Sequence, residues 1–166
     1  MSAAIYDWFG QRLMAQLLSY MGEVSVSEYW RGIDERNRYR AAFTAALDAE
    51  QFDAILCPPC ALAALTHGSG YFLLNDATYT IPYNLLGMPA GVVSVTQVRP
   101  GEESDRLASK ELIERTASKV EQRSVGLPVG VQVAARHWRE DIVLAVMAAI
   151  EEHFQSQPDY PVHPPV

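Results

Sequence analysis

Two cysteines stand three positions apart in Cys57-Pro58-Pro59-Cys60, and this is the first place to look for chemistry. A C-x-x-C pair is either a redox dithiol or half of a zinc site. Zinc needs two further ligands. His67, His137, His153 and His163 are scattered with no H-x3–5-H spacing or second C-x-x-C, so no metal site is expected. A thioredoxin-like dithiol should open a helix after a strand. Here two prolines sit inside the pair, and the following Ala61-Leu62-Ala63-Ala64 soon reaches Thr66-His67-Gly68-Ser69-Gly70. The better reading is a strand end followed by a proline-stiffened loop with reduced thiols in a cytoplasmic setting. The second candidate is His67 two residues before Ser69, with Asp76 downstream. It lacks the G-x-S-x-G turn that presents a nucleophile. The acidic pairs Glu102-Glu103 and Glu151-Glu152 fall on polar faces and read as solvated.

The chain that must position these groups has 166 residues, 49% hydrophobic and 20% charged, which is one domain's worth of core-forming sequence. A net charge of −7 and a pI near 5.0 are the wrong sign for a nucleic-acid binder. No apolar run approaches the roughly 20 residues of a membrane span. Met1–Phe9 carries Asp7 and no basic region, so no secretory leader is expected. Of the thirteen basic residues only Lys110 and Lys119 are lysines.

The periodicity predicts three segments: an amphipathic helix within residues 1–22, an α/β segment over 23–154, and a proline-rich, unpacked tail over 155–166. In the first, Ile5, Trp8, Phe9, Leu13, Leu17, Leu18 and Met21 form one stripe that Gly22 ends. Ser27 is the expected N-cap of a helix from Glu28 to about Glu50, with Trp30, Ile33, Asn37, Phe43 and Leu47 inward. Phe52–Cys57 reads as a buried strand and Asn75–Leu86 as a helix perturbed by Pro82. Val92–Val98 is a β-branched strand. A polar stretch, Arg99–Arg123, holds a charged helix with both lysines. Val129–Ala135 is a second core strand, and Trp138–Phe154 an amphipathic helix with Ile142, Val146, Ala149 and Ile150 inward.

One motif recurs. Gly87-Met88-Pro89-Ala90-Gly91 and Gly126-Leu127-Pro128-Val129-Gly130 each open one of the predicted strands. Proline at a strand start gives up no ladder donor, and flanking glycine lets backbones approach closely. The pattern therefore predicts neighbouring strands at a crowded point. Neither copy has a nucleotide-binding spacing, so no cofactor is expected.

These residues, with Tyr39-Arg40, Phe52–Pro58, Asn84-Leu85-Leu86 and Trp138–Leu144, resemble the C-terminal third of the amidase signature family of hydrolases. Tyr79-Thr80-Ile81-Pro82-Tyr83-Asn84, the polar stretch Arg99–Arg123 and Trp30 make the chain most similar to the fatty acid amide hydrolase branch. The resemblance implies an α/β fold with a mixed sheet flanked by helices, and hydrolysis of the C–N bond of linear, lipophilic amides. That family uses a Ser–cis-Ser–Lys triad and a glycine/serine-rich oxyanion loop, both in its N-terminal two-thirds. This sequence holds no Ser-Ser dipeptide, and its lysines lie in the polar stretch, so no catalytic residue is expected here. The resemblance instead implies acyl-chain contacts by Leu74, Ala77 and Ile81. The same apolar stripe is also what an ordinary core face looks like. Implied partners are a lipophilic amide or fatty acid, and an N-terminal amidase portion or a second copy. Residues Ile5–Met21 fall where that branch carries a membrane-docking cap. With Arg12 as their one basic anchor, packing against protein is expected over peripheral membrane contact. A stand-alone lipid- or protein-binding module is the alternative.

Overall fold

The computed structural model describes residues 22–162. The expected helix Ile5–Met21 lies outside the described residues. The chain divides between Tyr39 and Arg40 into two compact units.

The first unit begins helix α1, Val26–Ala49. Its cap is Ser25, two residues before the expected Ser27. Ser25 Oγ accepts the Glu28 N–H at 3.2 Å, and the Glu28 carboxylate accepts the Ser25 N–H at 2.9 Å, a reciprocal capping box. Ile33 and Asn37 are half-buried as expected, whereas Trp30 is exposed. In the second unit, Phe43 and Leu47 continue the half-buried stripe. The helix stops at Gln51, whose φ of 55° takes the left-handed conformation usually given to glycine. The Phe52 N–H then bonds Leu47 O at 2.9 Å and the Gln51 N–H bonds Asp48 O at 3.2 Å, completing a Schellman ending.

Three strands follow: β1, Ala54–Cys57; β2, Ala90–Gln97; and β3, Pro128–Ala135. Their order is β1-β3-β2. Ala54 pairs with Ala135 and Cys57 with Gln132; Gly91 pairs with Val133 and Ser94 with Gly130, with a register shift between Ser94 and Thr96. The expected α/β class with a helix-flanked sheet is formed. Its described neighbours are all antiparallel, which refines the expected mixed sheet: β1 and β2 point the same way but are separated by β3.

Alternation divides this sheet into two faces. Ala54, Gly91, Val93, Val133 and Ala135 share one face. Helix α4, Glu140–Phe154, covers it, and Val133, Ala135 and Val143 pack with Ile142, Val146, Met147 and Ile150. Helix α4 starts later than the expected Trp138 because Trp138 has φ 62°, which no helix accommodates. Val143 and Met147 turn inward in place of the expected Ala149, which is exposed.

The repeated Gly-x-Pro openings do mark close approaches on neighbouring strands, but at two places on opposite faces of the sheet rather than at one crowded point. A Cβ at Gly91 would stand 2.4 Å from Met147 Sδ, and one at Gly130 would stand 2.8 Å from Val92 Cγ1 and 3.0 Å from Val93 O. At Gly130 the close atoms include backbone, so space requires glycine there; at Gly91 the close atoms belong to the flexible end of Met147, which would have to move.

A second core joins Leu73, Ala117 and Val120 with Leu62, Leu65 and Ile113. It packs α3, Leu112–Glu121, against the segment before β2. That segment is not the single helix expected over Asn75–Leu86. It forms 3-10 turns at Ser69–Tyr71 and Leu74–Tyr79, then helix α2, Ile81–Leu86. Pro82 explains the break, since it is tolerated only in a helix's first turn. Gly87, at φ 66°, ends α2.

The described tail is not unpacked as its prolines suggest. Asp159, Tyr160 and Pro161 are half-buried, Arg99 Nε donates to Asp159 at 2.9 Å, and the Tyr160 hydroxyl donates to Glu151 at 3.2 Å. Pro164 and Pro165 lie outside the described residues.

Candidate functional site

The second face of the sheet carries Cys57, Val92, Ser94, Gly130 and Gln132. Over it lies an open cavity of about 710 Å³. Val92, Ser94, Val129 and Gly130 form its floor, and the loop Pro58–Leu65 forms a wall. Asp76, Glu103, Glu121 and Ser124 supply its polar edge.

Two buried polar groups fix this region. Gln132 is 3% exposed and donates from Nε2 to Tyr79 O at 3.0 Å and to Cys57 Sγ at 3.2 Å. Cys57 Sγ also lies 3.4 Å from the Tyr83 hydroxyl. Burial, reinforced by that thiol, pushes the Tyr83 phenol up to about 12. Asp76 is 7% exposed; its Oδ1 accepts the Leu62 N–H at 2.7 Å, and its backbone carbonyl accepts the Ala61 N–H at 3.2 Å. The Asp76 carboxylate also faces the Cys60 thiol. Burial first, then that carboxylate's charge, push the Cys60 thiol up from its ordinary value.

Both cysteines are free thiols. Cys60 lines the cavity and Cys57 Sγ accepts from Gln132, so the pair stands as wall and anchor, in line with the proline-stiffened loop expected from sequence. The candidate serine is also engaged locally: Ser69 Oγ donates to Thr66 O at 2.7 Å, His67 is exposed, and Asp76 is committed to Ala61 and Leu62. These three residues do not assemble a nucleophile, base and orienting acid. Lys110 and Lys119 are exposed.

Leu74, Ala77 and Ile81 do not line the large cavity. Leu74 and Ala77 lie three apart on the 3-10 turn, where that spacing eclipses side chains, and Ile81 begins α2. Leu74 is 36% and Ile81 53% exposed, and Ala77 is half-buried. Their neighbours Leu73 and Asp76 are buried. The segment thus has buried anchors, Leu73 and Asp76, between exposed apolar residues, which include Tyr79 and Leu85. Sequence reasoning missed the anchoring by Asp76 and Gln132. It also missed Arg106, which joins Glu114 and Glu121 and ties the polar stretch to α3. In the one-dimensional pattern these are lone polar residues without partners at diagnostic spacing.

The fold falls in a known class. A solved fatty acid amide hydrolase superposes on 90% of this chain with a TM-score of 0.65 at 19% identity, and the match spans 30% of that larger chain. Residues 7–144 match the Amidase family profile, and the chain belongs to the amidase family. Among its relatives are fatty acid amide hydrolase 1 of Caenorhabditis elegans, 35% identical over 68% of this chain and 20% of the relative, and fatty-acid amide hydrolase 1 of Sus scrofa, 32% identical over 83% and 24%. A putative amidase of Schizosaccharomyces pombe is 27% identical over 75% and 24%. The chain therefore spans about a quarter or less of the length of these relatives. No described helix is long and apolar enough to cross a membrane.

Proposed function

We propose that this chain is the C-terminal portion of an amidase-family hydrolase of lipophilic, fatty-acid-type linear amides. It supplies sheet scaffold and, through Leu74, Ala77 and Ile81, one wall of the acyl site. The nucleophile, its lysine and the oxyanion donors come from the larger portion that the relatives possess and this chain does not span. The observation that carries the reading is the segment Leu73–Ile81. Leu73 and Asp76 are its buried anchors, while Leu74 and Ile81 keep apolar surface exposed. Such surface on an anchored segment suits an apolar ligand. The names of the nematode and pig relatives supply the substrate class. A fatty acid, a second copy, or a peripheral membrane surface would meet the same residues in a cytoplasmic protein.

The test uses the purified chain with oleamide and with a long-chain fatty amide bearing a diazirine photo-cross-linker. The expected result is no oleamide turnover and cross-links confined to Leu74–Ile81 that excess oleamide suppresses. Turnover by the chain alone would overturn the division of labour. Cross-links elsewhere, or none, would overturn the acyl wall. Cross-linking by a chain shown to be complete would favour the stand-alone binding module.

A further inference from the structure

Asp76 occupies a position that the acyl-wall reading does not yet use. Two consecutive residues of the loop after β1 end on it: the Leu62 N–H on its carboxylate and the Ala61 N–H on its backbone carbonyl. The carboxylate is almost wholly buried, and Leu73 beside it sits in the core with Leu62 and Leu65. A short 3-10 turn has poor hydrogen-bond geometry and holds its shape weakly by itself. Its shape here must come from what it is fastened to.

We propose that Asp76 is the positioning residue for acyl recognition: by fastening Ala61 and Leu62 to the turn, it holds Leu74 and Ala77 in the outward register in which they meet an acyl chain. This rests on the acyl-wall reading above and deepens it. Asp76 itself touches no substrate. It acts by preventing the turn from rolling, which would bring Leu74 inward and take the polar Asp76 outward. The driving force for such rolling is apolar surface left in water, and the Leu62 N–H···Asp76 bond opposes it.

Three readouts on the full purified chain test this, using Asp76→Ala and Asp76→Asn. Asparagine keeps an acceptor for the Leu62 N–H and loses the charge beside Cys60. The first readout is amide hydrogen exchange at Leu62, expected to accelerate about tenfold in D76A and to stay near the parent rate in D76N. The second is iodoacetamide alkylation of Cys60 in a Cys57→Ser background, expected to accelerate several-fold in both variants as the neighbouring charge goes. The third is cross-linking of Leu74–Ile81 by the fatty-amide diazirine, expected to fall about tenfold in D76A and to be preserved in D76N. A residue serving general stability alone would give cross-linking that follows the folded fraction, and circular dichroism measures that fraction for each variant. If the parent chain cross-links and folded D76A cross-links equally, the positioning role is overturned and the acyl wall stands. If the parent chain does not cross-link, the acyl wall falls and the positioning role falls with it. Unchanged Leu62 exchange in D76A overturns the clamp whatever the probe does.

Discussion

The tightest joint in the fold offers the sharpest test of how sequence dictates its packing. Replacing Gly91 by alanine puts a methyl group 2.4 Å from Met147 Sδ, 3.1 Å from its Cε and 3.5 Å from Val143 Cγ1. Contacts between such atoms are favourable near about 3.5–4.0 Å, so the sulfur must withdraw by more than about 1 Å. Met147 has three rotatable bonds and can swing, at an off-rotamer cost of about 0.5–1.5 kcal/mol. That swing is part of the about 1–3 kcal/mol that overfilling a packed site costs. Against this, alanine narrows the unfolded ensemble by about 0.4–1 kcal/mol where its backbone conformation is allowed, as in a strand. The net expectation is a loss of about 1–2 kcal/mol, read as a lower urea midpoint at unchanged slope, or as about 2–8 °C in Tm for a domain of this size. The cause is identified by the cycle with Met147→Ala. Each single change destabilises, and the double variant recovers about 1–2 kcal/mol relative to their sum because the clash needs both partners. A Gly91→Ala protein within about 0.5 kcal/mol of the parent, or a double variant additive within about 0.5 kcal/mol, would refute the close-approach reading of this glycine.

Three further outcomes follow from the polar anchors. Gln132→Leu leaves Tyr79 O without its donor inside the protein, and urea unfolding should show a loss of about 1–3 kcal/mol, with no loss overturning the anchoring role. Glu121 is held below the usual carboxylate range, first by its bond from Arg106, then by that from Ser104 and by the arginine's charge. A lowered folded value means the contribution is complete above the unfolded value of about 4.3 and is lost as pH falls through the folded value; Arg106→Gln should flatten the acid limb of the stability profile there, and an unchanged limb would count against the pairing. Tyr83, pushed up to about 12, keeps its proton where an unfolded tyrosine has lost it. Between about pH 10 and about 12 the unfolded chain binds fewer protons than the folded one, so stability falls as pH rises; Tyr83→Phe should remove the last phenolate to appear in an ultraviolet titration.

What could be read from the chain in advance divides along a physical line. Gly91 and Gly130 announce themselves because only glycine leaves the volume that a neighbouring backbone or side chain then fills, so the repeated Gly-x-Pro openings carried non-local information in a local pattern. Strand β3 and helix α4 were legible for a related reason: apolar period and β-branching report burial directly. Errors came where a single residue's conformation overrode the pattern. Trp138 continues the periodicity of α4 yet sits at φ 62°, and Gln51 ends α1 in a conformation its side chain does not advertise. Pro82 was visible, but whether it kinks one helix or separates two depends on the segment before it, where Leu73 is in the core and Asp76 bonds the Leu62 N–H.

The least legible features are therefore those on which the proposed acyl wall depends. Asp76, Gln132 and Arg106 each find partners between 8 and 75 residues away in sequence. A buried polar group has no periodicity, and its sign in the sequence is an isolated polar letter that solvent would satisfy equally well. The apolar letters Leu74, Ala77 and Ile81 were visible, but which way they face is not set by their spacing. The 3-10 turn, Thr80 and Pro82 interrupt any single helical face, so an i, i+3, i+7 series does not by itself place three side chains together. Their outward direction follows from what is buried beside them: with Leu73 in the core and Asp76 bonded to the Leu62 N–H, Leu74 and Ile81 are left facing out. If the proposed acyl wall holds, recognition depends on the groups behind it, and changes to the unexposed Asp76 should alter acyl contact more than conservative exchanges among the exposed apolar residues themselves.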